Sequence, residues 1–169
     1  MAYDLSQLKV LVVDSNRQSY QILLSILAAM RVEQVHSVET IKEAARELRN
    51  WSPDLVITEL QVDDEDALEF FRRVRQGDNE SDPFVPVILL TGRTEVARIR
   101  EARDTGVNEI LAKPVAAAGL YDRIVEIIEN PRPFVRTKSF FGPDRRRRNK
   151  AFEGEGKREG DRKKTSSAA

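Results

Sequence analysis

Cysteine is absent from this chain of 169 residues, which rules out disulfides, thiolate catalysis and thiolate metal sites. Histidine occurs once, at His36, and with no partner motif it reads as an ordinary strand residue. No apolar run approaches ~20 residues, so nothing in the sequence reads as a membrane span. The opening stretch MAYDLSQLKV lacks the basic region and apolar core of a signal peptide, and the expected compartment is the cytoplasm. Aromatics are sparse, 7% against 40% apolar residues in all, as in a small aliphatic-cored globule. Net charge is also zero, but that average joins two opposite halves. Residues 1–130 carry 15 basic and 23 acidic side chains, a balance of −8, and residues 131–169 carry 13 and 5, a balance of +8.

What is present is an alternation of short apolar runs with helical periodicity. KVLVV (Lys9–Val13), EQVHSV, DLVIT, VPVILLT and NEILA read as five strands. Between and after them, QSYQILLSILAAM, ETIKEAARELRN, DALEFFRRVR, EVARIREARDTG and AAGLYDRIVEIIEN read as five helices, the last stopped by Pro131. That order predicts an α/β fold with a doubly wound five-stranded parallel sheet over residues 8–130. In such folds the functional crevice lies beyond the carboxyl ends of the strands, where this sequence places Asp14, Glu59, Thr91 and Lys113.

The segments VLVVDSN, PDLVITEL, PVILLTG and EILAKPV together resemble the receiver domain of bacterial two-component response regulators. The resemblance implies a flavodoxin-like sheet of strand order 2-1-3-4-5. It also implies a crevice in which two acids and an Asp hold Mg²⁺, the Asp accepts a phosphoryl group, and a hydroxyl residue and a lysine grip its oxygens. Asp14 matches the first acid, Thr91 the hydroxyl residue, Lys113 the lysine and Pro114 the proline after it, commonly in a cis peptide. Three positions depart: Ser15 stands in place of the second acid, Glu59 in place of the phosphoacceptor Asp, and Ile110 in place of an aromatic switch residue.

These departures bear on chemistry, because phosphoryl transfer depends on positioning and charge neutralisation. Ser15 removes one anionic ligand from a cation that prefers oxygen donors. Glu59 carries its carboxylate one methylene further, a shift on the order of 1 Å that can cost ~100-fold in rate. Mg²⁺ binding is therefore expected to be weak at best, no cofactor is expected, and the chain reads as a binding module rather than an enzyme. Three readings of Glu59 stay open: a fixed mimic of the phosphorylated state, a plain structural partner of Lys113, or residual phosphorylation there or on Asp63 or Asp64. Asp14 is expected to pair with Lys113 or to cap the following helix, and Thr91 to serve as a strand-end hydroxyl.

The resemblance further implies a protein partner, such as a histidine kinase or motor component, reading the face of the fourth and fifth helices. Candidate contacts there are Val96, Ile99, Arg100, Arg103, Ile110, Tyr121 and Arg123. Residues 131–149 form an aromatic and arginine-rich extension, and 150–169 have the composition of a disordered charged tail. The extension is open to four uses: folding back through Phe134, Phe140 and Phe141, docking a protein, holding an anion at Arg145, Arg146, Arg147 and Arg148, or non-specific nucleic-acid binding. The anion reading is similar to the arginine-rich extension of some chemotaxis-like receivers that bind cyclic di-GMP. No helix-turn-helix or other DNA-reading motif occurs, so specific DNA binding is not expected.

Overall fold

The computed structural model describes residues 3–92 and 96–146. Five parallel strands form the central sheet: β1 (Lys9–Val13), β2 (Gln34–Val38), β3 (Leu55–Glu59), β6 (Val87–Thr91) and β7 (Glu109–Ala112), in the order β2-β1-β3-β6-β7. Counting sheet strands alone, this is the expected 2-1-3-4-5 order. The predicted helices are α1 (Arg17–Ala29), α2 (Ile41–Asn50), α3 (Ala67–Gln76), α4 (Val96–Thr105) and α5 (Ala117–Glu129). Their ends follow local chemistry. Asn16 caps α1 by accepting from Ser19 N at 3.0 Å, and Asp66 caps α3 by accepting from Leu68 N at 2.8 Å. At the start of α2 Thr40 Oγ1 accepts from Glu43 N at 3.2 Å, and the Glu43 carboxylate accepts from Glu39 N and from the Thr40 hydroxyl, a variant of the capping box. Gly77, at φ 87°, ends α3 in the left-handed region that its missing Cβ permits.

Because alternate strand residues point to opposite faces, the sheet divides the core in two. Leu11, Val13, Val56 and Leu89 meet Leu48, Phe71, Val74 and Ala102 from α2, α3 and α4. Val10, Val12, Ile57 and Ile88 meet Leu23 and Leu27 of α1 and Leu120 and Ile124 of α5. Burial on both faces explains why these strands read as continuous apolar runs.

Two small hairpins are additions to that plan. β4 (Gln61–Val62) and β5 (Glu65–Asp66) pair antiparallel around Asp63 and Asp64, whose positive φ values of 48° and 63° make a tight two-residue turn. In the extension, β8 (Phe134–Arg136) pairs antiparallel with β9 (Phe141–Pro143). That hairpin lies on the body: Phe134 and Phe141 meet Phe84 edge to face, with ring centroids 5.0 and 5.3 Å away, and Phe140 is buried. Gly142 approaches Gly106 so closely that a Cβ at 142 would lie 2.7 Å from the Gly106 Cα. Residues 131–146 thus fold back through all three phenylalanines. The tail at 150–169, expected to be disordered, lies outside the described residues.

The anchor of this arrangement is Arg75, a fully buried side chain on α3. Its guanidinium donates to the carbonyl oxygens of Gly106 (3.1 and 3.0 Å) and Pro83 (2.8 Å) and to Asn108 Oδ1 (3.2 Å). The Phe134 ring lies 5.2 Å from its centre. With no carboxylate among these hydrogen-bond acceptors, burial pulls its pKa down to about 10.

Candidate functional site

The parallel strands bring Asp14, Glu59, Thr91 and Lys113 to one edge of the sheet, as their positions in the sequence require. Lys113 is the hub. Its Nζ donates to Ser19 Oγ at 2.7 Å, lies 3.4 Å from Asp14 Oδ2, and forms a close ion pair with Glu59 Oε2. The peptide from Lys113 to Pro114 is cis. Thr91 is buried, and its backbone oxygen accepts from Lys113 N at 2.9 Å. One cation thus faces two carboxylates, at side-chain exposures of 25% for Lys113, 18% for Glu59 and 5% for Asp14. At that degree of burial the pair fixes geometry by the cost of separating it, more than by net stabilisation.

The remaining oxygens of the crevice also have donors. Asp14 Oδ1 accepts from Asn16 N at 2.8 Å, and Glu59 Oε1 accepts from Leu60 N at 2.8 Å. Asp14 therefore pairs with Lys113, as one expectation had it, but the helix cap itself is Asn16. Ser15 Oγ accepts from Asp63 N at 3.1 Å and so holds the β4–β5 turn against the crevice. Behind that turn Asp66 pairs with Arg98 of α4 at 2.9 Å, a contact that raises the Arg98 pKa.

A second site lies on the other side of β7. α4, β7, α5 and the extension enclose a cleft of about 420 Å³. Its apolar surface comes from Ile99, Val107, Ile110, Ala112 and Pro143, and its charge from Arg103, Arg123, Arg132, Arg145 and Glu109. Glu109 is buried and takes Arg123 at 3.3 Å and Arg132 at 3.3 Å. Arg132 also donates to the carbonyls of Asp144, at 3.3 Å, and of Asn108.

Of the candidate contact positions, Ile99, Arg103, Ile110 and Arg123 line this cleft. Val96 and Arg100 are exposed on α4 outside it. Tyr121 belongs to the opposite layer: it packs with the α1–α5 side of the core, and its hydroxyl accepts from Tyr3 N at 3.0 Å. Of the four tail arginines, Arg145 pairs with Asp104 at 2.8 Å and lies 4.5 Å over the Phe140 ring, and Arg146 is exposed. Arg147 and Arg148 lie outside the described residues. His36 sits on the edge strand, bonded to Glu47 at 2.7 Å and stacked on Trp51 at 3.8 Å.

Several participants carry no motif in the sequence. Ser19 reaches the crevice from one turn into α1, and Glu109 and Arg132 meet only through the fold. Helical phase gives a partial signal for Ser19, which shares the N-terminal turn after Asn16.

Residues 10–125 match the response regulator receiver domain family. The chain belongs to that family: it carries the receiver domain of two-component response regulators. It is 34% identical over 90 residues to the KDP operon transcriptional regulatory protein KdpE of Escherichia coli (strain K12), a match covering 53% of this chain and 38% of that protein. It is 31% identical over 114 residues to the transcriptional regulatory protein GlrR of the same strain, covering 66% of this chain and 25% of that protein. The chain thus matches well under half the length of these two regulators. The match to chemotaxis protein CheY-3 of Vibrio cholerae is 24% identical over 122 residues, covering 72% of this chain and 92% of that protein. The solved structure of Vibrio cholerae CheY4 superposes with a TM-score of 0.64 at 22% identity, covering 71% of this chain and 98% of that one.

The divalent cation that the family resemblance implies does not fit this donor set. A hard cation takes oxygen ligands, one or two of them carboxylates, and Ser15 offers a neutral hydroxyl where the family pattern has an anionic ligand. Here Asp14 and Glu59 each divide their oxygens between Lys113 and a backbone N–H, and Ser15 is engaged by Asp63 N.

Proposed function

We propose that this receiver does not switch by phosphorylation at the usual position, and that it signals by protein–protein contact through the α4–β7–α5 face. The observation that carries the reading is the internal saturation of the crevice: Lys113 already holds Glu59, Asp14 and Ser19. A carboxylate at 59 supplies one negative charge where a phosphoryl group would bring nearly two, so the state it maintains is a partial imitation. The chain is, in this reading, a binding module without cofactor or catalysis, and its partner is another signalling protein. The cyclic di-GMP reading has less support, since Arg145 is already engaged by Asp104 and Phe140.

Incubation with acetyl phosphate or beryllofluoride and Mg²⁺, read by intact mass and by amide NMR, tests this. Trp51 is a poor reporter, because it precedes the amino end of β3 while Glu59 closes the carboxyl end. No adduct and no shift at Glu59, Thr91 or Lys113 is expected in the wild type. A stoichiometric adduct at the crevice refutes the reading. The double variant Ser15→Asp/Glu59→Asp is expected to gain a phosphoryl adduct, restoring both the second acid and the shorter reach.

A further inference from the structure

The β8–β9 hairpin meets α3 at a pocket of about 200 Å³ that shares no lining residue with the α4–β7–α5 cleft. Arg72 and Arg75 line it from α3, and residues 136–141 line it from the hairpin. Standing three apart, the two arginines of α3 share one side of that helix. Arg136 ends β8, and Lys138 lies in the turn that follows, where Thr137 N donates to Phe140 O at 2.8 Å. Arg72, Arg136 and Lys138 are exposed, and none of them forms an ion pair with another described residue. Arg75 is buried against neutral hydrogen-bond acceptors, and Asp82 acts on its charge from beyond ion-pair distance. The carboxylate that lines the pocket, Asp104, is taken by Arg145. Four cations therefore border a pocket whose own acid is already engaged.

We infer that this pocket binds a phosphate-sized oxyanion, inorganic phosphate or the terminal group of a phosphomonoester, which clasps the hairpin to α3. The inference stands apart from the reading of the crevice and from the α4–β7–α5 face. An anion here supplies the counter-charge that Arg75 lacks. The N–H groups of Arg75 are turned to Gly106, Pro83 and Asn108, so it acts by charge. Direct donors come from its neighbours. The forks of Arg72 and Arg136 match phosphate oxygens in pairs, and the Lys138 ammonium adds a point charge. Thr137 and Ser139 bring exposed hydroxyls on the turn. Thr137 Oγ1 accepts from Ser139 N at 3.4 Å, which leaves its proton for a ligand. The volume, about 200 Å³, lies below the ~300–1,000 Å³ usual for larger organic ligands and suits a single phosphoryl group. Arg72 belongs to the body, and Arg136 and Lys138 to the extension. A bound anion therefore bridges the two, and the docked hairpin gains stability with occupancy.

The test is an amide NMR titration of the full chain in phosphate-free buffer, with inorganic phosphate and glycerol 3-phosphate as two arms. Sodium chloride at matched ionic strength and cyclic di-GMP are the others. Saturable shifts at Arg72, Gln76, Lys138 and Ser139, half complete near ~1 mM, are expected for phosphate or the monoester. The tighter of those two identifies the source of the anion. Hydrogen exchange at Thr137 N, which closes the turn, is expected to slow on saturation. The variants Arg72→Glu and Lys138→Glu, both at exposed positions, are each expected to weaken the anion by ~10-fold or more. Lys42→Glu, exposed on α2, leaves the affinity unchanged. No saturable shift at these residues up to ~20 mM of either phosphate ligand overturns the inference, as does an equal response to chloride. Tighter binding of cyclic di-GMP at the same residues overturns it too, as do shifts centred instead on Lys113 or Arg145.

Discussion

The two ends of β7 hold charge in opposite ways. At its carboxyl end Lys113 is one cation among an excess of acid, closed in by Glu59, Asp14 and Ser19. At its amino end Glu109 is one acid among an excess of arginine, with Arg123 and Arg132 on the same carboxylate and Arg103 and Arg145 beyond. The first cluster is enclosed and satisfied, so it sets a state. The second borders an open cleft and, among the described residues, holds more cations than carboxylates. The difference lies in what lies over each: the β4–β5 turn and α1 contact the crevice, whereas the extension forms a wall of the cleft and leaves its mouth open.

The largest break to that comparison would come from removing the wall. Truncation after residue 130 takes away Phe134, Phe140 and Phe141 and uncovers Phe84 and Arg75. Phe140 is buried and Phe134 and Phe141 are half-buried; at ~1.5–3 kcal/mol for a fully buried ring, reduced for residual order in the unfolded chain, the expected loss is about 2–4 kcal/mol. Urea unfolding measures it. A loss under ~1 kcal/mol would mean that the extension is an ornament rather than part of the fold. Gly142→Ala is the point-mutation counterpart. Its Cβ would meet the Gly106 Cα, a backbone atom, at 2.7 Å, and should lift the hairpin off.

Next in size is Lys113→Met, which strands two carboxylates with little access to water. The expected cost is about 3 kcal/mol, with part regained on adding Glu59→Gln. Glu109→Gln is the mirror experiment at the other end of β7. Removing the central charge there should cost only about 1 kcal/mol, because Arg123, at 36% side-chain exposure, can turn to water and Arg132 keeps the carbonyls of Asp144 and Asn108 as acceptors. Equal costs for the two changes, from parallel unfolding curves, would erase the distinction between a closed and an open cluster.

Much of this frame is visible in the sequence. The five apolar runs specify the sheet because strands covered on both faces have no polar alternation to hide them. Strand ends then locate Asp14, Glu59, Thr91 and Lys113, since parallel strands put all their carboxyl ends on one edge. What stays hidden depends on distant partners. Arg75 has nothing near it in sequence to mark it as buried, because Gly106, Pro83 and Phe134, which enclose it, come from distant segments. The β8–β9 hairpin has strands of three residues and a terminal Pro143, too short for any alternation. Tyr121 looks like a surface contact because helical phase alone cannot say which of two core layers a flank of α5 will meet.

The smallest effect sharpens the same comparison by changing only exposure. Arg145 and Asp104 form an ion pair at 2.8 Å, shorter than that of Lys113 with Asp14 at 3.4 Å. Distance alone would rank the surface pair as the stronger. At exposures of 52% and 59%, however, water and salt screen it, and holding two long side chains together costs entropy. Asp104→Asn should therefore change stability by less than ~0.5 kcal/mol, and raising ionic strength to ~1 M should abolish even that difference. The Lys113→Met cost should persist in the same salt, since the crevice admits little of it. A salt-sensitive Lys113 and a salt-insensitive Asp104 would place the shielded cluster at the wrong end of β7.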